Sequence, residues 1–170
     1  MNQLKTVFAI HNHQPVGNFD AVFADAYKRC YEPFLGVMEK HPSLKFTQHW
    51  TGPLLEWLQG DRPEFLERMR KLVRRGQLEL LTGTYYEAIL PITPPADVAG
   101  QIRKHRELIS SWFGYQARGM WVAERVWEPQ LARLLAETGV EFVVLDDVHF
   151  RLAGMREDEL HGYYVTEEQG

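Results

Sequence analysis

The sequence has a single cysteine, Cys30, which cannot form a disulfide bond within the chain. A disulfide-stapled scaffold and a cysteine-rich zinc site are therefore excluded, and a reducing compartment is the better fit. No apolar run approaches the ~18 residues that a membrane span needs. Residues 1–5 lack the apolar segment of a signal peptide, so we expect a cytoplasmic protein that does not enter a membrane.

Positive charge is also scarce, because 19 Lys and Arg residues face 23 Asp and Glu residues, for a net charge of −4. This balance excludes a strongly basic surface for binding nucleic acid. No Gly-x-Gly-x-x-Gly follows the first apolar segment, and no phosphate-binding loop is present. Small molecules, neutral polymers and proteins remain as partners. At 170 residues, the chain is expected to be a single domain over residues 1–170.

Short apolar segments alternate with helical patterns along the chain. The segments predicted to be strands are residues 6–10, 44–50, 78–82, 118–123 and 141–145. Between the first two, apolar residues recur at steps of one, three and four from Phe19 to Val37, as on one face of a helix. This alternation predicts βα units and a parallel sheet with flanking helices. About five strands are too few for a closed barrel of about 250 residues, so a partial barrel is favoured over a small open sheet.

Polar and aromatic side chains follow every predicted strand. These groups are residues 11–14, 49–50, 85–87, 124–125 and 146–147. In parallel α/β folds, sites form at the carboxyl ends of the strands, where such groups meet at one edge of the sheet. A purely structural sheet has no need of this coincidence, which therefore indicates a functional site.

Glu124 is the most distinctive residue of these groups. It stands between an apolar strand and Arg125. A nearby cation keeps a carboxylate ionised, and an ionised carboxylate is what a nucleophile must be. The alternative is that Glu124 and Arg125 form an ordinary ion pair at the start of a loop.

His11 and His13 alternate along the first strand, so both are predicted to project to one face. Such a pair suits a zinc ion, for which Asp146, Asp147 and His149 would complete a ligand set. It equally suits hydrogen bonds to a polar ligand, or one of the two histidines is simply part of the core.

Aromatic rings near the predicted strand ends would suit the flat apolar faces of sugars. These residues are Trp50, Tyr85, Tyr86, Trp121 and Trp127. Trp57 and Trp112 are assigned to the core.

Three segments in order resemble the signatures of glycoside hydrolase family 57. They are His-Asn-His-Gln-Pro at residues 11–15 with residues 17–19, Gly-Gln-Leu-Glu-Leu at residues 76–80, and Trp-Val-Ala-Glu-Arg-Val-Trp-Glu-Pro at residues 121–129. The similarity runs from about residue 5 to the end of the chain. It looks closest to the 4-α-glucanotransferase and α-amylase members.

The resemblance implies a retaining enzyme that acts on α-glucans such as maltooligosaccharides, built on an incomplete (β/α)₇ barrel. It places Glu124 at the position of the catalytic nucleophile. It implies that His13, Glu79 and Trp121 line the sugar-binding cleft, with His11 beside them. The family does not depend on a catalytic metal, so neither a metal nor another cofactor is expected.

One departure from the family pattern is that its general acid, an aspartate in a fourth motif, and its fifth motif are absent from these residues. We therefore expect the amino-terminal portion of a catalytic barrel, inactive alone, whose missing part or a partner covers the edge of the fifth strand. Two alternatives remain open. One is a non-catalytic or glucan-binding fragment, and the other is a metal-dependent carbohydrate hydrolase or deacetylase that uses His11, His13 and either Asp146 or Asp147.

Overall fold

A computed structural model describes residues 6–168, so residues 1–5, on which the signal-peptide argument rests, lie outside it. Within these residues, five strands form two sheets, one of three strands and one of two, and every pairing is parallel. They are β1 (Ala9–Asn12), β2 (Phe46–Trp50), β3 (Leu78–Leu81), β4 (Gly119–Trp121) and β5 (Phe142–Val144). A bridge between Thr82 and Met120 links β3 to β4, so the spatial order follows the chain order.

The prediction of an α/β fold with parallel strands is confirmed. Within residues 6–168, β1 and β5 do not pair with each other. β1 begins three residues later than predicted, because its ladder with β2 starts where Thr47 N–H donates to the carbonyl of Phe8 at 2.9 Å. That ladder runs on to pair His11 with His49, which brings His11 into the strand itself.

Helices follow the strands at each crossover. They are α1 (Asp20–Ala26), α2 (Glu32–Lys40), α3 (Gly52–Asp61), α4 (Pro63–Arg74), α5 (Pro95–Phe113), α6 (Leu131–Glu137) and α7 (Asp147–Leu152). A π-helical segment, Tyr27–Tyr31, joins α1 to α2 without a break, so the predicted stripe from Phe19 is one helical rod. Gly114 ends α5 with φ 63°, the left-handed conformation that glycine adopts most readily. The sequence pattern did not predict α7.

The core forms two clusters, one on each side of the link between β3 and β4. The first packs β2 and β3 against α2, α3 and α4 and includes Leu54, Leu66 and Met69. The second packs β4 against α5 and α6 and includes Ile102 and Met120. Within residues 6–168 no helix combines the length and the apolarity that crossing a membrane takes.

Burial corrects part of the aromatic prediction. Trp50 and Tyr85 are 2% and 1% exposed, so these rings belong to the core and cannot stack on a sugar. Trp57 and Trp112 pack against the first cluster, as predicted.

Candidate active site

The carboxyl ends of the first four strands bring histidines and carboxylates together. His11 lies one residue before the end of β1, His49 lies opposite it on β2, and their Nδ1 atoms are 2.8 Å apart. His13 follows β1, and its ring lies 5.8 Å from that of His11 at an interplanar angle of 20°. The prediction that His11 and His13 project to one face is therefore confirmed.

The ring of Trp121, the last residue of β4, stacks on these imidazoles. Its centroid is 4.7 Å from that of His11, and the two planes differ by 5°. His49 lies 5.0 Å from His11 and 6.4 Å from Trp121, again nearly parallel to both. The guanidinium of Arg125 lies 5.2 Å from the centre of the Trp121 ring. Three nearly parallel rings and the Arg125 guanidinium are therefore stacked on the β4 side of the site.

Glu87 occupies the centre of the histidine group. Its carboxylate is 3.5 Å from His11 Nε2, 3.9 Å from His13 Nδ1 and 4.0 Å from His49 Nδ1. The side chain is 8% exposed, and no described residue donates a hydrogen bond to either of its oxygens. Sequence reasoning assigned no role to Glu87, and the one signal that could have found it was its position after the third predicted strand.

A rigid turn after β3 holds Glu87 in place. Its backbone has φ 62°, in the left-handed region that non-glycine residues rarely occupy. The Glu87 N–H donates to the carbonyl of Thr84 at 3.0 Å, and the Thr84 hydroxyl donates to the carbonyl of Ala88 at 3.0 Å. Such strain persists only where the surrounding structure over-determines it.

Glu124 lies in a second strained turn, directly after β4. Glu124 and Arg125 have φ values of 51° and 52°. His149 Nε2 donates to the carbonyl of Arg125 at 2.8 Å, and Arg125 Nε donates to Asp146 at 2.7 Å. Among the described residues Arg125 pairs with Asp146, so the alternative interpretation, an ion pair between Glu124 and Arg125, is wrong. The Glu124 side chain is exposed and interacts electrostatically with Glu87 and His13.

Burial sets the charge state of the group. It lowers the pKa of His11 to about 4, helped by His13 and Arg125, and it lowers the pKa of His49 well below its usual value. Burial also lowers the pKa of His13, against the opposing effect of Glu124. The imidazoles are therefore neutral at pH 7 and form no ion pairs with Glu87. Burial, followed by repulsion from Glu124, raises the pKa of Glu87 to about 7.

The same residues have the chemistry of metal ligands. His11, His13 and Glu87 each offer a ligand atom within 4.8 Å of the others. Among the described residues this group does not include Asp146 or Asp147, which pair with Arg125 and Arg151. The metal set considered from the sequence is thus corrected to one that contains Glu87. Two neutral imidazoles and a carboxylate accept either a cation or hydroxyl donors.

The structure does not bring Glu79 to this group. Glu79 pairs in register with Thr47, whose hydroxyl lies 3.3 Å from its carboxylate, whereas His49 lies two residues further along β2. Two residues of strand correspond to roughly 6–7 Å toward the amino ends of the sheet. The four other sequence candidates, His11, His13, Trp121 and Glu124, meet at the carboxyl ends.

The fold and site define an α/β protein of parallel strands with imidazoles, carboxylates and an indole ring gathered at the carboxyl edge of the sheet. The chain belongs to glycosyl hydrolase family 57, whose sequence profile matches residues 7–170. The resemblance inferred from the three motifs is confirmed.

Named relatives are similar to the whole of this chain. It is 46% identical over 169 residues to an α-amylase of Pyrococcus furiosus, covering 99% of this chain and 26% of the relative. It is 45% identical over 170 residues to a 4-α-glucanotransferase of Thermococcus kodakarensis, with 100% and 26% covered. The crystal structure of 4-α-glucanotransferase from Thermococcus litoralis superposes with a TM-score of 0.92 at 44% identity, over 94% of this chain and 25% of that one. The chain thus spans about a quarter of the length of these relatives.

Proposed function

We propose that this chain is the amino-terminal part of a retaining enzyme acting on α-glucans such as maltooligosaccharides, with Glu124 as its nucleophile. Family membership supports the substrate class. The relatives named α-amylase and 4-α-glucanotransferase support a reaction that is either hydrolysis or glucan transfer. The one exposed cysteine suits a reducing compartment, and the proposed location is therefore the cytoplasm.

The observation that carries the proposal is the placement of Glu124. Its backbone is held in a left-handed turn directly after β4, at the carboxyl edge of the strands where His11, His13 and Glu87 meet, and its side chain is exposed. A strained, tightly held turn costs of order 1–3 kcal/mol per residue and is typical of sites where a side chain must be aimed.

In the proposed reaction the Glu124 carboxylate attacks the anomeric carbon and displaces the leaving sugar oxygen, which takes a proton from a general acid. The product of this step is a β-linked glycosyl-enzyme, which water or an acceptor sugar hydroxyl then releases. Retention needs the second carboxyl group about 5–5.5 Å from the first. We place that acid, an aspartate by family likeness, beyond residue 170.

The remainder of the barrel belongs in the same missing portion. The β5 residue Phe142 is 42% exposed, and Leu152 in the following helix is 82% exposed. Apolar surface of this kind is normally covered by another element or a partner. We therefore expect the 170-residue chain alone to show no turnover of maltooligosaccharides.

Chemical rescue of the full-length protein tests the nucleophile. Glu124→Gly should lose at least ~1,000-fold in kcat, and added azide should restore turnover with β-glucosyl azide as product, because azide attacks from the vacated face. Glu107→Gln, an exposed change on α5, is the matched control and should keep full activity. Wild-type turnover in Glu124→Gly without azide would refute the assignment.

A further inference from the structure

Glu87 is a buried carboxylate whose hydrogen-bonding needs the described residues do not meet. Its side chain is 8% exposed, and neither oxygen receives a hydrogen bond from residues 6–168. Buried polar groups are nearly always hydrogen-bonded, and a buried group left without a partner is costly. The nearest polar atoms are imidazole nitrogens of three histidines, which are neutral at pH 7. The group is thus suited to a ligand that brings its own donors.

Position indicates which ligand this is. Glu124 follows Trp121 by three residues, in the turn after β4, and the Trp121 ring stacks on His11. His11 Nε2 is in turn 3.5 Å from the Glu87 carboxylate, so both carboxylates belong to the surroundings of the same stacked rings. The parallel rings of Trp121 and His11 form one side of the same space. A pyranose ring matches these features, because it combines apolar faces for stacking with hydroxyls that both donate and accept hydrogen bonds.

A polyol also fits the state of His11. Its Nδ1 is engaged with His49 Nδ1 at 2.8 Å, which leaves Nε2, on the side of Glu87, to a ligand. A hydroxyl can donate to the carboxylate and accept from an imidazole, or the reverse. The positive charge of Arg125, which contributes to the lowered pKa of His11, opposes a cation at the same place.

We propose that Glu87 is a substrate-binding residue that accepts hydrogen bonds from hydroxyls of the sugar ring attacked by Glu124, and so determines which sugar is accepted. This inference rests on the proposed function. The strained turn that fixes Glu87 explains how one carboxylate recognises one hydroxyl configuration, because the side chain cannot follow a misplaced group.

The test pairs a protein change with a substrate change in the full-length enzyme. The substrates are α-glucosyl fluoride and its 2-, 3- and 6-deoxy derivatives, since fluoride departs without a proton donor. Wild type should reject at least one deoxy derivative by ~100-fold or more in kcat/KM. Glu87→Ala should lose roughly 10- to 100-fold on the parent fluoride, and its preference for that hydroxyl should fall below ~3-fold.

Two variants separate this role from a structural one. Glu87→Gln keeps the side-chain volume and should lose less than Glu87→Ala on the parent fluoride, and Glu107→Gln should match wild type. The proposal would be overturned if Glu87→Ala discriminated against each deoxy derivative to the same extent as wild type does. A purely structural defect lowers kcat/KM for all substrates by the same factor and leaves that discrimination unchanged.

Three other results bear on the proposal. Loss of maltooligosaccharide turnover with retained fluoride turnover in Glu87→Gln would make Glu87 a proton donor and overturn the binding role. One equivalent of a divalent metal in wild type, absent from Glu87→Ala, would make the group a cation site and overturn it too. Unchanged turnover in Glu124→Gly would instead refute the proposed function, which is read independently of Glu87.

Discussion

Replacing Gly83 with alanine is expected to displace His49 from the site. A Cβ at residue 83 would lie 2.2 Å from His49 Nε2, whereas ordinary contact begins at 3.4 Å, so the pair must separate by roughly 1.2 Å. His49 has no free space, because it is fully buried and its Nδ1 is 2.8 Å from His11. The backbone is held as well, since Gly83 N–H donates to His105 Nδ1 at 2.9 Å.

The magnitude follows from these contacts. Forcing extra volume into a packed interior costs about 1–3 kcal/mol, and loss of the bond between His11 and His49 adds about 1 kcal/mol. The free energy of unfolding should therefore fall by about 2–4 kcal/mol, and Tm by roughly 5–15 °C for a chain of this size. Gly83 does not have a positive φ, so backbone strain does not contribute.

Urea unfolding followed by tryptophan fluorescence measures this loss. Gly100→Ala is the matched control, because Gly100 lies within α5 and a Cβ added there would meet no atom within 4 Å, so alanine should stabilise by ~0.5–1 kcal/mol. A loss below ~0.5 kcal/mol in Gly83→Ala, or a gain like that of the control, would refute the steric reasoning.

Three further predictions concern pH, packing and surface charge. The folded pKa values of His49 and His105 lie below the unfolded value of 6.5, so the unfolded chain binds protons first and stability should fall as pH drops below about 6.5. Glu87, with its pKa raised to about 7, takes up its proton in the folded state before the unfolded chain does, so it offsets part of this loss. In Glu87→Gln the free energy of unfolding, measured by urea unfolding, should therefore fall more steeply as the pH drops from 7 to 4.5, by up to ~1.4 kcal/mol per pH unit. Leu66→Ala, at a position with 0% exposure, should cost about 2–5 kcal/mol in the same assay, and a loss below ~1 kcal/mol would contradict its place in the core. Arg68→Lys should cost up to ~1 kcal/mol, less in ~1 M salt, because lysine cannot reproduce the paired bonds to Glu32 and Glu39; a loss that salt leaves unchanged would contradict an ionic origin.

The order of strands and helices followed from local patterns alone. Apolar runs bounded by turn residues predicted strands at residues 44–50 and 78–82, and the structure has them at Phe46–Trp50 and Leu78–Leu81. Local hydrophobic periodicity is enough for this, because each βα unit buries its apolar face in the same way. The first strand was placed too early, since its extent depends on hydrogen bonds to β2 rather than on its own apolar residues.

Part of the candidate site was also accessible from the sequence. His11, His13, Trp121 and Glu124 lie at or just beyond strand ends, and parallel strands bring their carboxyl ends to one edge. The motif resemblance added Glu79 as well, but Glu79 pairs in register with Thr47 and therefore lies closer to the amino ends of the strands than the site does. Only the register of neighbouring strands decides such depth.

The sequence by itself thus determined the family, the parallel α/β architecture and most of the residues at the carboxyl edge, because these depend on short-range pattern and motif order. Tertiary structure alone decided that Glu87 is buried among three histidines and that Arg125 binds Asp146 rather than Glu124. The positive φ values of Glu87, Glu124 and Arg125 were also decided by the tertiary structure. Burial, charge state and backbone strain at these residues arise from contacts between segments far apart in the chain, and no local pattern encodes them.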